Sequence, residues 1–196
     1  MSTFLERLTA GETLVSDGAT GTNLHQMGLK MGIAPEDLVL EDPTLLLQLA
    51  GAFVEAGSDI ILTCTFGGSG LRMADSKHAR RAPEVNRQAV ALARQAASAR
   101  PGVLVGGSIG PIGKLLKPYG PLAPEEALLT LTEQARALAD GGVDLFVIET
   151  QFALEEARLA VQAVQSQSEL PIVISFSYDR GVRTMMGVKP SQVVAT

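Results

Sequence analysis

The feature that most limits what this chain can fold into is an alternation of short Val, Ile and Leu runs with longer segments of helical period. Such alternation reads as successive βαβ units and a parallel sheet. Five runs read as strands: 13–16 (TLVS), 59–64 (DIILTC), 103–108 (VLVGGS), 144–149 (DLFVIE) and 171–175 (PIVIS), spaced by about 30 to 45 residues. Their near-continuous apolar character predicts burial on both faces. Helices are predicted at about 43–57, 83–99, 124–140 and 153–167, with a further one beginning near Pro190. In the third, Pro124 suits the first turn, Glu125 and Glu126 favour the positive dipole end, and Gly141-Gly142 ends it. Leu128, Leu131, Ala135, Leu138 and Ala139 then share one face for packing on the sheet.

No linker or low-complexity stretch divides the 196 residues, so residues 1–196 read as one domain. Two α/β architectures compete, an open doubly wound sheet and a (β/α)8 barrel. A complete barrel takes ~250 residues, so five units would be an incomplete one.

Composition narrows the function classes. Hydrophobic residues make up 46% and charged residues 19%, which predicts a folded, well-buried chain. The net charge of −5, without a basic run longer than Arg80-Arg81, argues against nucleic acid as a partner. The N-terminus carries charges where a signal peptide needs an apolar core, and no apolar run reaches the ~18 residues of a membrane span. A cytoplasmic protein without a membrane partner is expected. The single cysteine, Cys64, rules out an internal disulfide and a metal cage built only of this chain's cysteines.

Polar or glycine-rich motifs follow every predicted strand: DGATGTN at 17–23, TCTFGG at 63–68, GSIGP at 107–111, ETQ at 149–151 and SFSYD at 175–179. In parallel α/β folds, ligand sites gather at these carboxyl ends, so the five motifs predict one functional face. Glu149 ends a run that should be buried, and an acid there needs a charged or hydrogen-bonding partner. Asp17 holds the corresponding place after the first strand. Together they form a candidate pocket for an ammonium group, while backbone N–H groups at Gly18 and Gly107 could receive a carboxylate. An α-amino acid fits both ends. Two carboxylates at the mouth disfavour a phosphate ligand, and the GxGxxG dinucleotide fingerprint is absent.

These blocks resemble the homocysteine S-methyltransferase family, which includes the homocysteine-binding domain of cobalamin-dependent methionine synthase and betaine-homocysteine methyltransferase. The resemblance is carried by DGATGTNLHQMGL at 17–29, AGSDIILTCTFGG at 56–68, GGSIGPIG at 106–113, GGVDLFVIETQ at 141–151 and PIVISFSYDRGVRTMMG at 171–187. It implies a (β/α)8 TIM barrel that binds homocysteine at its mouth and transfers a methyl group to the thiol, giving methionine. Asp17, Gly18 and Glu149 would hold the homocysteine backbone, with Thr65 and Ser108 lining the pocket. Cys64 stands where many members have Asn.

The resemblance further implies a catalytic Zn2+ held by three cysteines at the sixth and eighth strands, none of which this chain contains. The chain therefore reads as the N-terminal part of the barrel, truncated after the fifth unit, inactive in isolation and prone to self-association through its open strand edge. His25, His78 and Cys64 lack the spacing of a substitute metal site, and Lys114 and Lys117 sit in a predicted loop. The methyl donor is left open by the residues; cobalamin, a methylsulfonium or a betaine-like compound are the candidates. Two rival readings are a zinc-free amino-acid-binding or vestigial barrel module and an unrelated α/β-barrel lyase.

Overall fold

The computed structural model describes residues 3–178 and 181–195. Asp179, the last residue of the fifth motif, lies outside them. The elements in chain order are α1 (Phe4–Thr9), α2 (Thr20–Gln26), α3 (Leu38–Glu41), α4 (Pro43–Glu55), β1 (Ile60–Leu62), α5 (Ala82–Ala97), β2 (Leu104–Ile109), α6 (Pro124–Gly141), β3 (Leu145–Gln151), α7 (Leu154–Gln165), β4 (Ile172–Phe176) and α8 (Pro190–Val194). Short 3-10 turns at Pro35–Asp37, Arg72–Asp75 and Ala79–Arg81 fill the connections. The four strands form one parallel sheet in the order β1-β2-β3-β4.

Local signals explain the long helices. Proline occupies the first turn of α4, α5 and α6, where its missing N–H has no intrahelical partner to lose. Glu125 and Glu126 of α6 and Glu155 and Glu156 of α7 sit at the positive dipole ends. Gly142 caps α6 in the left-handed region with φ 86°, a conformation that costs glycine little.

The two faces of the sheet follow from side-chain alternation. On one face, Val105, Phe146 and Ile148 pack with Val90, Ala93, Leu131, Ala135, Leu138, Ala160 and Val164 of α5, α6 and α7. The other face is lined by Ile60, Leu104 and Leu145, which pack with Phe4 of α1 at the amino ends of the strands. Alternation then places Ser108 and Glu149 on that second face, nearer the carboxyl ends.

Two expectations fail. The predicted strand at 13–16 is reduced to a single parallel bridge between Ser16 and Ile60. Backbone donors here and on β1 are diverted to carboxylates: Val15 N–H donates to Asp59 Oδ2 at 3.0 Å, and Leu62 N–H donates to Asp17 Oδ2 at 2.9 Å. Side chains thus satisfy groups that a longer ladder would pair. The second failure is β4, where the expected burial on both faces gives way to partial exposure, with Ile174 at 38%. Among the described residues, β4 pairs only with β3, so one edge and part of its helix-side face lack cover.

Candidate functional site

A cavity of about 780 Å³ opens between the segment after the bridge at Ser16, the turn before α3, the loop after β1 and the carboxyl-terminal parts of β2 and β3. Asp17, Gly18, Ser108 and Glu149, all singled out from sequence, line it together. Asp17 is positioned from both sides: its N–H donates to Ile60 O at 2.9 Å, and its carboxylate accepts from Leu62 N–H. Burial pushes the Asp17 carboxyl up from its ordinary 3.8 to about 6, and the nearby charge of Glu149 adds to the rise. Glu149 itself accepts a 2.6 Å hydrogen bond from Ser108 Oγ.

Beyond Glu149 the backbone of β3 breaks register between Ile148 and Gln151. Thr150 takes φ 59°, a left-handed conformation that a β-branched residue adopts at a cost. Its N–H donates to Ser175 Oγ of β4 at 3.1 Å. The irregularity therefore lies directly after the carboxylate that points into the cavity.

Thr65 does not line the cavity but lies fully buried behind it. Its hydroxyl donates to Ser108 O at 2.7 Å, so it supports a lining residue. Gly107 is a correction. A Cβ there would meet Leu138 and Val143 at 3.2 to 3.5 Å, which places this residue on the helix-facing side of β2, away from the cavity. Gly107 also lies inside β2, in register with Phe146 of β3, and not in a loop at the cavity mouth.

Several site residues escaped the sequence reading. Glu36, buried in the turn before α3, accepts a 2.5 Å hydrogen bond from Gly67 N–H, and burial raises its carboxyl pKa. Asp37 accepts a 2.5 Å bond from Ser76 Oγ. Arg72 also lines the cavity, its stem close to Gly67 and its guanidinium against Gly113, where a Cβ would sit 2.0 Å from Nη1. Glu36 and Asp37 carried no signal beyond an acidic pair after Pro35. A cation inside the glycine-rich stretch after the second strand was the only clue to Arg72.

The described residues do not fit zinc. No three His, Cys, Asp or Glu side chains among them converge on one point. The thiol of Cys64, which lines the cavity, is pushed well above its ordinary pKa by burial and by Glu36, the reverse of what a thiolate ligand needs. His25 Nδ1 lies 2.7 Å from Leu29 O, and His78 Nε2 lies 3.2 Å from Glu41 Oε1. Lys114 and Lys117 do not line the cavity.

Comparison with solved structures agrees with this architecture. Three structures of the homocysteine methyltransferase MmuM from Escherichia coli superpose on the chain. The metallated form gives a TM-score of 0.84 at 21% identity, covering 97% of this chain and 72% of that one. For the oxidized form the values are 0.84, 22%, 97% and 71%, and for the apo form 0.76, 24%, 97% and 70%. At these identities the likeness is one of fold. The sequence family described as homocysteine S-methyltransferase matches residues 14–196, nearly the whole chain. The chain belongs to the homocysteine S-methyltransferase family, a family of methyltransferases.

Proposed function

We propose that this chain binds homocysteine in the cavity at the carboxyl ends of its strands, as the N-terminal part of a (β/α)8 domain that methylates the homocysteine thiol. The observation that carries the reading is the convergence of Asp17 and Glu149 on one cavity, close enough for the charge of Glu149 to raise the Asp17 pKa. Two half-buried carboxylates that share a cavity repel one another, and an ammonium group placed between them relieves the repulsion. Ser108 aims Glu149, and Gly18 lines the cavity beside Asp17 while its missing side chain leaves room for Phe53.

The cavity lies within the ~300–1,000 Å³ range of ligand pockets and exceeds what one amino acid fills, which leaves room for a donor's methyl group to reach the sulfur. Transfer forms a bond between the homocysteine sulfur and the methyl carbon, the carbon–donor bond breaks with its electron pair returning to the donor atom, and the thiol proton is released to solvent. A methylcobalamin, methylsulfonium or betaine-like donor satisfies that balance. Zinc, which the family uses to activate the thiol, would be held by residues outside this chain. Among the described residues no helix is long and apolar enough to cross a membrane. We further propose a cytoplasmic location.

Calorimetric titration with L-homocysteine and with its analogue lacking the amino group tests the reading. Loss of the ammonium should weaken binding by about tenfold or more, as expected for charge-assisted hydrogen bonds. Equal affinities would remove the ammonium site and the proposal with it.

A further inference from the structure

Behind the cavity, Ser108 is gripped at both backbone atoms. Its N–H donates to Thr63 Oγ1 at 3.0 Å, and its carbonyl accepts from Thr65 Oγ1 at 2.7 Å. The two threonine hydroxyls lie 2.6 Å apart. Because the Thr65 hydrogen is committed to Ser108 O, the Thr63 hydroxyl must donate to Thr65 Oγ1. The bonds therefore run one way around a closed ring that begins and ends on Ser108.

Gln134 of α6 closes this arrangement from the helix side. It is 3% exposed, and its Nε2 donates to Thr65 O at 2.8 Å, with Ser108 O at 3.4 Å. Both groups are carbonyls, so only the amine half of the side chain can face them. Its Oε1 is left buried without a partner among the described residues. The same face of α6 is otherwise largely apolar, with Leu131, Ala135 and Leu138. An amide with an orphaned oxygen weakens the fold at such a position. What it gains there is a hold on the carbonyls that orient Ser108.

We propose that Gln134 is a positioning residue for the homocysteine site: through the Thr63–Thr65–Ser108 ring it fixes the direction in which Ser108 Oγ presents itself to Glu149. This inference rests on the ammonium reading of Glu149 for its functional consequence, but not for its structural one. Gln134 does not line the cavity. It acts through Ser108, whose hydroxyl is the link between the buried ring and the cavity.

Gln134→Met keeps the side-chain length and removes the donor. Thr65→Val and Thr65→Ser remove and retain the ring hydroxyl, and they serve as a second pair if Gln134→Met folds poorly. Two quantities are read on each full-length variant. The first is the Ser108 Oγ to Glu149 Oε1 separation in a crystal structure, now 2.6 Å. The second is the ratio of affinities for homocysteine and its analogue lacking the amino group. Gln134→Met and Thr65→Val should break the Ser108–Glu149 hydrogen bond and lower the ratio by about tenfold, and Thr65→Ser should restore both. General destabilisation would weaken both ligands alike and leave the ratio unmoved. A Ser108–Glu149 bond that persists in Gln134→Met and Thr65→Val, or a ratio they leave at the wild-type value, overturns the proposal. If the wild-type protein shows no preference for the amine, the ammonium reading fails, and the crystallographic distance alone then decides whether Gln134 positions Ser108.

Discussion

Ser108 Oγ donates a 2.6 Å hydrogen bond to Glu149 Oε1 across the face shared by β2 and β3. The two residues come from neighbouring strands, so parallel pairing sets their approach before any side chain is chosen. Ser108→Ala removes the donor without adding bulk. Homocysteine affinity should fall about tenfold or more, the ~1.5–3 kcal/mol of one hydrogen bond to a charged group. A calorimetric titration unchanged by the substitution would mean that Glu149 needs no orienting partner.

Asp17 gives the site a defined pH response. Its carboxyl holds a proton up to about pH 6 in the folded chain, against 3.8 in its ordinary state. Between those values the folded state keeps a proton that the unfolded state has released, so stability falls as pH rises from about 4 to about 6. The loss is at most about 3 kcal/mol, since one pKa unit corresponds to ~1.36 kcal/mol. Asp17→Asn should abolish this component. The melting-temperature difference between variant and wild type should therefore widen in favour of the variant across that window, and a constant difference would contradict the account.

Ligand binding should reverse the same shift. An ammonium beside Asp17 favours its ionised form, so homocysteine binding near pH 5.5 releases a proton. Calorimetry in two buffers of different ionisation enthalpy measures that release directly. No buffer dependence, or proton uptake, would count against Asp17 as the ammonium partner.

Thr150, exposed and at φ 59°, carries strain that glycine would not. Thr150→Gly should stabilise the fold by about 1 kcal/mol in chemical denaturation, net of the entropy that glycine loses on folding. Destabilisation would show that the left-handed backbone here is relaxed.

Glu36 separates charge from hydrogen bonding. Gly67 N–H needs an acceptor, which Gln can supply and Ala cannot. Glu36→Gln should be close to neutral near pH 7, whereas Glu36→Ala should cost about 1–3 kcal/mol by leaving a buried donor unpaired. Equal losses for both variants would place the value of Glu36 in its charge.

Much of this was legible in the sequence because it depends on short-range pattern. Apolar runs found β1 to β4, and Pro124 with Gly142 marked the ends of α6 closely. Asp17 and Glu149 were legible because each stands at the carboxyl end of a predicted strand, whereas Ser108 entered only through the family resemblance. The failures came where side chains replace backbone partners. Residues 13–16 looked like a strand, but the carboxylates of Asp59 and Asp17 take ladder positions that only tertiary contact reveals. Gly107 and Gly106 read alike in sequence, and only the register decides which one faces the helices. Gln134 stood unnoticed on an apolar helix face, because its partners lie 69 and 26 residues away.

The most direct test of the central claim is the homocysteine affinity of Glu149→Gln measured beside the wild-type chain, with melting temperatures taken on the same samples. The substitution keeps the size and one acceptor oxygen for Ser108, and removes the charge that an ammonium would meet. Binding weakened by about tenfold or more, with a melting temperature close to that of wild type, is the predicted result. Undiminished binding would contradict the account, because the cavity would then hold its ligand without the carboxylate that defines it.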